Sequence, residues 1–208
     1  MKILTIPKGW KPPAYKYSLK EKGCARIIAS QCEPDGFYRM EKVNGYDYFE
    51  VEETIRVTEL QINGITVMVD DPLHWFGMKE LAKACKGKVL VAGLGLGLVV
   101  HALQKNPNVT LIDIVEKEKD VIDLIGSVSD VLKDYKTHVF HTEIGSFITG
   151  KNLEPYDNII LDIWWGKGTK EMQRSMKSMV SLVSYFIPNA IPYVWGLRSK
   201  LNPACKFE

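Results

Sequence analysis

Four short segments of the sequence carry residue types that could bind a ligand or do chemistry. One is a loop in which glycine alternates with leucine, and each of the others places an acidic residue after an apolar run. Glycine lets a ligand approach the backbone closely, and carboxylates accept hydrogen bonds from hydroxyl and amino groups. The candidate ligands are therefore a phosphate, a dinucleotide or an adenosyl sulfonium compound. The candidate residues are Gly93, Gly95, Gly97, Glu116, Glu143 and Asp162.

The glycine loop does not choose among these ligands by itself. Glycine is common in strand-to-helix turns for packing reasons, so the spacing has an ordinary structural explanation. A P-loop is excluded because no Gly-Lys-Ser or Gly-Lys-Thr follows. The dinucleotide fingerprint Gly-x-Gly-x-x-Gly differs from the Gly-x-Gly-x-Gly found here, where Val99 and Val100 follow. This spacing disfavours a dinucleotide oxidoreductase.

Glu116 is the candidate for binding a ribose. It lies 19 residues after Gly97, at the end of the apolar run TLIDIV. A carboxylate at this place in a nucleotide-binding fold accepts both ribose hydroxyls. Asp113 is the competing acid, but it falls inside the predicted strand. The alternative explanation for Glu116 is an acid at a helix start, where it interacts with the helix dipole.

The third segment, Thr142-Glu143-Ile144-Gly145, could bind an adenine ring. Glu143 would accept from the exocyclic amino group while Ile144 packs on the ring. A helix-start carboxylate near Ser146 explains Glu143 equally well.

The fourth segment, ILDIWWG, ends an apolar run with Asp162. A carboxylate there must be solvated, paired or functional. Trp164 and Trp165 follow before Gly166 and suit a flat or cationic substrate, through stacking or a cation–π contact. The alternative is that one tryptophan belongs to the core and the other covers a strand end. At least one of them is expected to be structural.

The elements that position these segments alternate between strand and helix patterns. Strands are predicted at residues 88–92, 109–115, 137–141, 157–162 and 191–195, with helices at 73–87, 97–105, 117–134, 145–150 and 170–186. This alternation predicts an α/β fold with a doubly wound, mostly parallel sheet. Ligands bind such sheets beyond the carboxyl ends of the strands, where all four segments lie.

A small antiparallel β element is predicted before this sheet. Residues 46–71 alternate apolar and polar side chains, and Asn63-Gly64 is a strong hairpin signal. The first forty residues mix lysines with Trp10, Tyr15 and Tyr17, which permits nucleic-acid binding but favours an arm or edge strands packed on the body. The predicted division is an N-terminal arm and β element at residues 1–72 and a ligand-binding domain at residues 73–208.

Composition is that of an ordinary soluble protein, with 46% hydrophobic and 25% charged residues and a net charge of +2. The four cysteines form no CxxC pair and the four histidines show no metal-ligand spacing, so no metal site is expected. No secretory signal or membrane span is predicted, and a cytoplasmic location is expected.

The ordered segments VLVAGLGLGLVVHAL, VTLIDIVEKEKDVIDL, VFHTEIGSFI and YDNIILDIW are similar to the motifs of class I S-adenosylmethionine-dependent methyltransferases. The chain most resembles the spermidine synthase-like branch of that superfamily, which also carries a small β element before the nucleotide domain. The resemblance covers roughly residues 88–195. It implies a Rossmann-like methyltransferase fold with S-adenosylmethionine as cofactor. The glycines would line the methionine moiety, Glu116 would bind the ribose, Glu143 and Ile144 the adenine, and Asp162 would face the reacting centre.

The sequence also departs from the family pattern. Val91 stands where many methyltransferases have an acid, although spermidine synthases often have an apolar residue there. Aminopropyl transfer in that family uses two aspartates separated by two residues. Asp162 matches the first, whereas Trp165 stands at the second. The Asp-Pro-Pro-Tyr motif of DNA amino-methyltransferases keeps only its acid and final aromatic here. Few residues follow the last predicted strand, so the usual final strand pair is expected to be missing, and another subunit could complete the sheet in a homo-oligomer.

Three functional hypotheses follow. The first is a methyltransferase in which Asp162 orients or deprotonates a small-molecule acceptor and Trp164 or Trp165 packs against it. The second is an aminopropyltransferase that uses decarboxylated S-adenosylmethionine. The third is a non-catalytic module of the same fold that binds a nucleoside or a partner. Nucleic acid remains a candidate acceptor through the basic N-terminal arm.

Overall fold

A computed structural model describes residues 1–150, 155–165 and 168–205 of the chain. Seven strands precede the first α-helix, and strands and helices alternate after it. The strands are β1 (Ile3–Ile6), β2 (Lys20–Lys22), β3 (Ala25–Cys32), β4 (Tyr38–Arg39), β5 (Tyr48–Val51), β6 (Ile55–Ile62), β7 (Ile65–Val69), β8 (Gly87–Ala92), β9 (Val109–Glu116), β10 (Thr137–His141), β11 (Asn158–Leu161) and β12 (Ile191–Val194). The helices are α1 (Pro72–Ala84), α2 (Leu98–Gln104), α3 (Lys119–Val128), α4 (Ile144–Ile148) and α5 (Lys170–Phe186), with a 3₁₀ helix at Pro13–Lys16.

The main sheet confirms the predicted α/β fold. Within the described residues it has five strands in the order β10-β9-β8-β11-β12, and every neighbouring pair is parallel. From β8 the chain adds β9 and then β10 on one side of the sheet, and it then crosses to the other side of β8 to form β11 and β12. The direction in which strands are added therefore reverses between β8 and β11. The loops at the carboxyl ends of these two strands flank the crevice where doubly wound sheets bind ligands.

Alternating side chains on the central strands bury both faces of this sheet. Val89 and Val91 of β8 pack with α1, α2 and α3, whereas Leu90 and Ala92 pack with α4 and α5. This division follows from the period of two in a strand, since successive side chains point to opposite faces. Both sets are apolar because helices cover both faces, which is why the strand reads as a continuous apolar run.

The N-terminal part contains the predicted antiparallel element and a second small sheet. Strands β2-β3-β6-β7 form an antiparallel sheet, and β1-β5-β4 form a mixed one that the sequence patterns did not predict. The β6–β7 hairpin turns at Asn63 (φ 50°) and Gly64 (φ 77°), where both residues adopt the left-handed conformation of a type I′ turn. This turn confirms the hairpin predicted from Asn-Gly.

Buried polar contacts tie the N-terminal arm to the body. The Tyr17 hydroxyl donates to the Leu96 carbonyl (3.1 Å) and lies 3.0 Å from His101 Nε2. Asp70 accepts from the Ala14 N–H (2.6 Å), and burial raises the pKa of its carboxyl group to about 7. Leu96 belongs to the glycine loop, so the hydrogen bond from Tyr17 links the N-terminal arm to the loop that carries Gly93, Gly95 and Gly97.

Two predicted boundaries were wrong. Gly87 begins β8 instead of ending the preceding helix, because α1 already ends at Ala84 and its C-cap, Cys85, has an extended backbone. Gly87 (φ 63°) lies against Asp157, which accepts from the Lys88 N–H. The predicted helix 117–134 is real only at Lys119–Val128. It ends because the Ser129 hydroxyl accepts from the Val131 N–H, an alternative to continued helix.

The described residues contain neither a helix that could span a membrane nor a cluster of potential metal ligands. No described helix is long and apolar enough to cross a bilayer. No group of three potential metal ligands occurs in the described ranges. All four cysteines are free thiols.

Candidate functional site

Residues from all four predicted segments line one cavity of about 230 Å³ at the carboxyl edge of the main sheet. We call it the first cavity. Its wall includes nearly all of the residues singled out in the sequence, brought together from the loops after β8, β9, β10 and β11. They are Gly93, Gly95, Glu116, Glu143, Ile144, Asp162, Trp164 and Trp165.

Gly97 is the exception, because it does not line the first cavity. It is the N-cap of α2, with φ 75°. A Cβ atom on Gly97 would lie 3.1 Å from a Val131 methyl group, so the position is fixed by packing as well as by backbone conformation. A contact between Gly97 and a ligand stays a prediction.

Gly93 and Gly95 make room for other parts of the protein. A Cβ atom on Gly93 (φ 92°) would lie 2.3 Å from the Asp162 carbonyl oxygen. One on Gly95 (φ 52°) would lie 2.5 Å from the Met68 sulfur, which also accepts from the Leu96 N–H at 3.2 Å. The glycines therefore let the loop after β8 touch both the loop after β11 and the N-terminal element.

Replacing Gly93 with Ala is expected to destabilise the protein more than an ordinary glycine replacement does. Gly9 is the matched control, since it also has a positive φ (75°) but open space around its Cβ position. Backbone strain alone should cost Gly9→Ala about 1 kcal/mol. The added clash with backbone should raise the cost for Gly93→Ala to roughly 3 kcal/mol. Chemical denaturation measures both, and equal losses would contradict the close approach.

Glu116 is buried, at 8% exposure, and lies at the end of β9. One carboxylate oxygen accepts from the Leu94 N–H at 2.8 Å and the other from the Glu118 N–H at 2.9 Å. Each carboxylate oxygen can accept more than one hydrogen bond, so both can still accept a hydrogen bond from a ligand in the cavity. The competing acid, Asp113, is occupied elsewhere: it accepts from the Tyr156 hydroxyl and lies 3.0 Å from His138 Nδ1.

Glu143 and Ile144 line the first cavity from the start of α4. Glu143 is the N-cap, and its carboxylate accepts from the Ser146 N–H at 3.1 Å. The structure thus contains the helix-start contact that was the alternative explanation for Glu143. Ile144 is buried, at 4% exposure, and offers an apolar surface beside this carboxylate. The cap uses one Glu143 oxygen, so the other is available to a ligand.

Asp162 lies at the switch point of the sheet. Its N–H donates to the Ala92 carbonyl at 2.9 Å, which fixes the loop after β11 to the end of β8. The pKa of its carboxyl group is raised to about 7, chiefly by burial; the charge of His74 opposes this shift, and the charge of Glu116 contributes to it. A carboxyl group with this pKa can exchange a proton near neutral pH.

The positive charge of His74 lowers the pKa of Asp162. His74 Nδ1 lies 2.8 Å from Asp71 Oδ1, and Asp71 is also the N-cap of α1. Burial lowers the pKa of the imidazole, but the charges of Asp71, Asp162 and Asp70 outweigh burial and raise it overall. Asp71, His74 and Asp162 therefore form an electrostatically coupled group.

A second cavity, of about 340 Å³, adjoins the first and shares part of its wall. Asp162, Trp164 and Trp165 line both cavities, as do Val67 and Met68. Residues that line only the second cavity include Glu41, His74, Met172, Trp195, Asn202 and Cys205. We call it the second cavity. Asp162 stands at the junction of the two.

The two tryptophans after Asp162 have different surroundings. The Trp164 indole packs against the core formed with α4 and α5, and its Nε1 donates to the Ser175 hydroxyl at 3.2 Å. Trp165 is 50% exposed. Trp164 is therefore partly a structural residue, while Trp165 is open to an incoming molecule. Gly166 lies outside the described residues.

Sequence patterns missed four residues of this region: Glu41, Met68, His74 and Trp195. Only His74 carried a local signal, because Asp71-Pro72 marks a helix start and places an acid three residues before the histidine. Gly77 was an indirect signal for Trp195. A Cβ atom there would lie 2.3 Å from the indole, and a glycine inside a helix suggests a close packing partner.

Carboxylates outnumber cations around the first cavity. Among the described residues its lining includes Glu116, Glu118, Glu143 and Asp162, with Lys117 as the one basic residue. Lys117 itself lies 3.8 Å from Glu118. Burying a phosphate or pyrophosphate beside this set is unfavourable, whereas a positively charged ligand is stabilised.

Comparisons with known proteins find similarity in fold to solved structures. No family model matches the chain, and no curated protein matches its sequence. Spermidine synthase from Thermotoga maritima is 15% identical with a TM-score of 0.44, over 76% of this chain and 53% of that one. A spermidine synthase in complex with the transition state analogue AdoDATO is 16% identical with a TM-score of 0.43, over 76% and 52%. Precorrin 8w decarboxylase from Methanobacterium thermoautotrophicum is 15% identical with a TM-score of 0.37, over 55% and 56%. This chain therefore spans about half the length of these structures.

The strand order itself defines the class of fold. Five parallel strands in the order third, second, first, fourth and fifth, with helices on both faces, form a Rossmann-like doubly wound sheet. In the described residues β12 is the edge strand of this sheet and the last strand of the chain order.

Proposed function

We propose that the protein is an S-adenosylmethionine-dependent methyltransferase acting on a small-molecule acceptor. The observation that carries the proposal is the first cavity, where four strand-end loops bring together glycines, an apolar wall and four carboxylates. Its charge favours a sulfonium compound over a phosphate or a dinucleotide, and this was the choice that the glycine loop left open.

The lining residues suit the parts of S-adenosylmethionine. Glu116 would accept hydrogen bonds from the ribose hydroxyls, since it is buried and lies at the end of β9. Ile144 and Val115 would pack on the adenine ring, with the Glu143 carboxylate toward its amino group. Gly93 and Gly95 would lie beside the methionine portion. The cofactor supplies an electrophilic methyl group on a positively charged sulfur.

We assign the second cavity to the acceptor and Asp162 to its deprotonation. Asp162 lines both cavities, so a group bound in the second cavity can reach it on the side that faces the first. The ionised carboxylate would accept the acceptor's proton, and Trp165 would orient the acceptor by stacking. Methyl transfer needs alignment and proton removal, and these residues supply both.

His74 is expected to set the pH at which Asp162 becomes active. Because the ionised form of Asp162 is the base, the rate should rise with pH through the pKa of about 7. The positive charge of His74 lowers this pKa, so His74→Gln should shift the rising limb to higher pH by about one unit. The measurement is kcat against pH between about 5 and 9.

The matched control is His141→Gln, which removes a histidine from the end of β10 that does not line either cavity. The rising part of its profile of kcat against pH should stay at the wild-type pH. If the rising part of the pH–rate profile were unchanged in His74→Gln, or shifted equally in both variants, His74 would be excluded as the residue that lowers the pKa of Asp162.

Aminopropyl transfer is the second candidate, and Glu41 is the observation that favours it. Trp165 replaces the second aspartate expected in the loop after β11, but Glu41 lines the second cavity together with Asp162. Two carboxylates on one cavity could bind a diamine. Glu41 has a positive φ (47°), so a strained turn holds it in this position.

A product assay tests the proposed function against this candidate. The protein is incubated with S-adenosylmethionine and a panel of small amines and aromatic acceptors, and separately with decarboxylated S-adenosylmethionine and putrescine. We expect S-adenosylhomocysteine to accumulate in the first reaction. Sustained methylthioadenosine release only in the second would replace methyl transfer by aminopropyl transfer. Absence of both products, with the adenosyl compounds bound, would leave the non-catalytic binding module.

A further inference from the structure

A basic groove lies between α1 and α2, apart from the two cavities described above. It encloses about 360 Å³ and shares no lining residue with the first or second cavity. Its polar and aromatic wall consists of Trp75, Lys79, Lys83, Lys105, Asn106 and Asn108. We call it the lysine groove.

The lysine groove extends toward the opposite edge of the sheet from the first cavity. Asn106 and Asn108 lie in the loop before β9, whereas Glu116 ends that strand. Eight residues of parallel strand separate these ends by about 25 Å. A ligand in the groove would therefore be distinct from the molecules that bind at the carboxyl edge.

Two of the lysines converge on one indole ring. Lys79 Nζ lies 5.5 Å and Lys105 Nζ 5.9 Å from the centre of the Trp75 ring, so the two ammonium groups are within about 11 Å of each other. Lys79 also lies 4.1 Å from the centre of the Phe76 ring. These contacts place the Lys79 and Lys105 ammonium groups beside the Trp75 ring of the groove.

The positive charge of the groove is poorly compensated by the protein. Within the part of the chain that the structure describes, no acidic residue lines the groove, and the ion pair formed there joins Lys83 to Glu80 at 2.6 Å. Burial lowers the pKa of the Lys79 ammonium group, and the charge of Lys83 lowers it as well; Glu80 opposes this shift, and Lys105 adds a smaller lowering effect. Like charges held together in this way are stabilised when an anion enters between them.

We propose that the lysine groove is a binding site for a phosphate-bearing ligand. Three ammonium groups provide the charge, and the indole provides a surface for a sugar or base attached to the phosphate. The volume of about 360 Å³ accommodates such a group. The phosphate could belong to a free nucleotide or to a single strand of nucleic acid, since the two share this chemistry. The site is independent of the proposed methyl transfer.

The experiment measures binding of a fluorescein-labelled twelve-nucleotide single-stranded DNA by anisotropy, with sodium pyrophosphate as competitor and as a separate calorimetric probe. The test protein carries Lys79→Gln, Lys83→Gln and Lys105→Gln together. The control carries Lys170→Gln, Lys177→Gln and Lys200→Gln, which removes the same charge from exposed lysines outside the groove. Thermal unfolding checks that both variants are folded.

We expect the groove variant to bind at least tenfold more weakly and the control to change less than about twofold. The slope of log K against log salt should fall by about two in the groove variant, because three phosphate contacts are lost. Pyrophosphate that binds and displaces the strand would identify a small phosphate ligand, and strand binding that pyrophosphate does not displace would identify nucleic acid. The proposal is overturned if neither probe binds, or if both variants lose affinity equally.

Discussion

Replacing Asp162 with Asn is expected to lower the rate of methyl transfer by about 10²- to 10⁴-fold, the usual contribution of a general base. Asn has nearly the same shape but cannot accept a proton. The backbone contacts of Asp162 with Ala92 and Gly93 do not involve its carboxylate, so the loop should keep its position. Affinity for S-adenosylhomocysteine should therefore change little, and single-turnover kinetics with calorimetry separates the two effects.

Asp123→Asn is the control for this prediction, since Asp123 is an acid on α3 that does not line either cavity. It should retain the wild-type rate and affinity. Turnover in Asp162→Asn within a few-fold of wild type would show that another group, or none, removes the proton. Loss of rate with affinity intact would make a purely binding role for the protein untenable.

Replacing Glu116 with Gln is expected to weaken cofactor binding by about 10- to 100-fold. Hydrogen bonds to a charged group contribute about 1.5–3 kcal/mol, and Gln keeps the shape but loses the charge and one acceptor oxygen. The carboxylate also holds the Leu94 and Glu118 N–H groups, so part of the loss would come from a looser glycine loop. Equilibrium titration measures the affinity, and thermal unfolding of the free protein reports the loop contribution.

Glu118→Gln controls for charge, because Glu118 lines the same cavity and removes the same charge when replaced. Its carboxylate is 34% exposed and pairs with Lys117, so solvent screens it more strongly than Glu116. Its loss of affinity should stay below about threefold. Equal losses in the two variants would mean that the general charge of the cavity, and not a specific hydrogen bond from Glu116, determines affinity.

The elements that carry the first cavity could be predicted because each has a local signature. Strand β8 reads as an apolar run that ends at glycine, Glu116 is the last residue of β9, and Asp162 follows β11. In a parallel sheet the carboxyl ends lie on one edge, so residues distant in sequence must converge there. Thr169 likewise marks the start of α5, where its side chain accepts from the Met172 N–H.

The residues of the second cavity could not be predicted, because they come together only through tertiary packing. Glu41 lies in a turn of the N-terminal part that no local sequence pattern predicts. Asn44 in the same turn donates its N–H to the carbonyl of Ala204, which is distant in sequence. Trp195 reaches His74 across the sheet edge, with ring centres 5.7 Å apart. Met68 belongs to the apolar pattern of the β6–β7 hairpin, and nothing in that pattern indicates that its sulfur accepts from the Leu96 N–H of the glycine loop. None of these contacts has a fixed sequence spacing.

The most direct test of the account is a calorimetric titration of the purified protein with S-adenosylmethionine and S-adenosylhomocysteine, with NAD⁺ and ATP as comparison ligands. The first cavity predicts saturable one-to-one binding of both adenosyl sulfur compounds, with Kd on the order of micromolar. It predicts much weaker binding of the two phosphate-bearing ligands there, because four carboxylates face them. Lack of binding by both adenosyl sulfur compounds would contradict the central claim, as would tighter binding of NAD⁺ that Glu116→Gln abolishes.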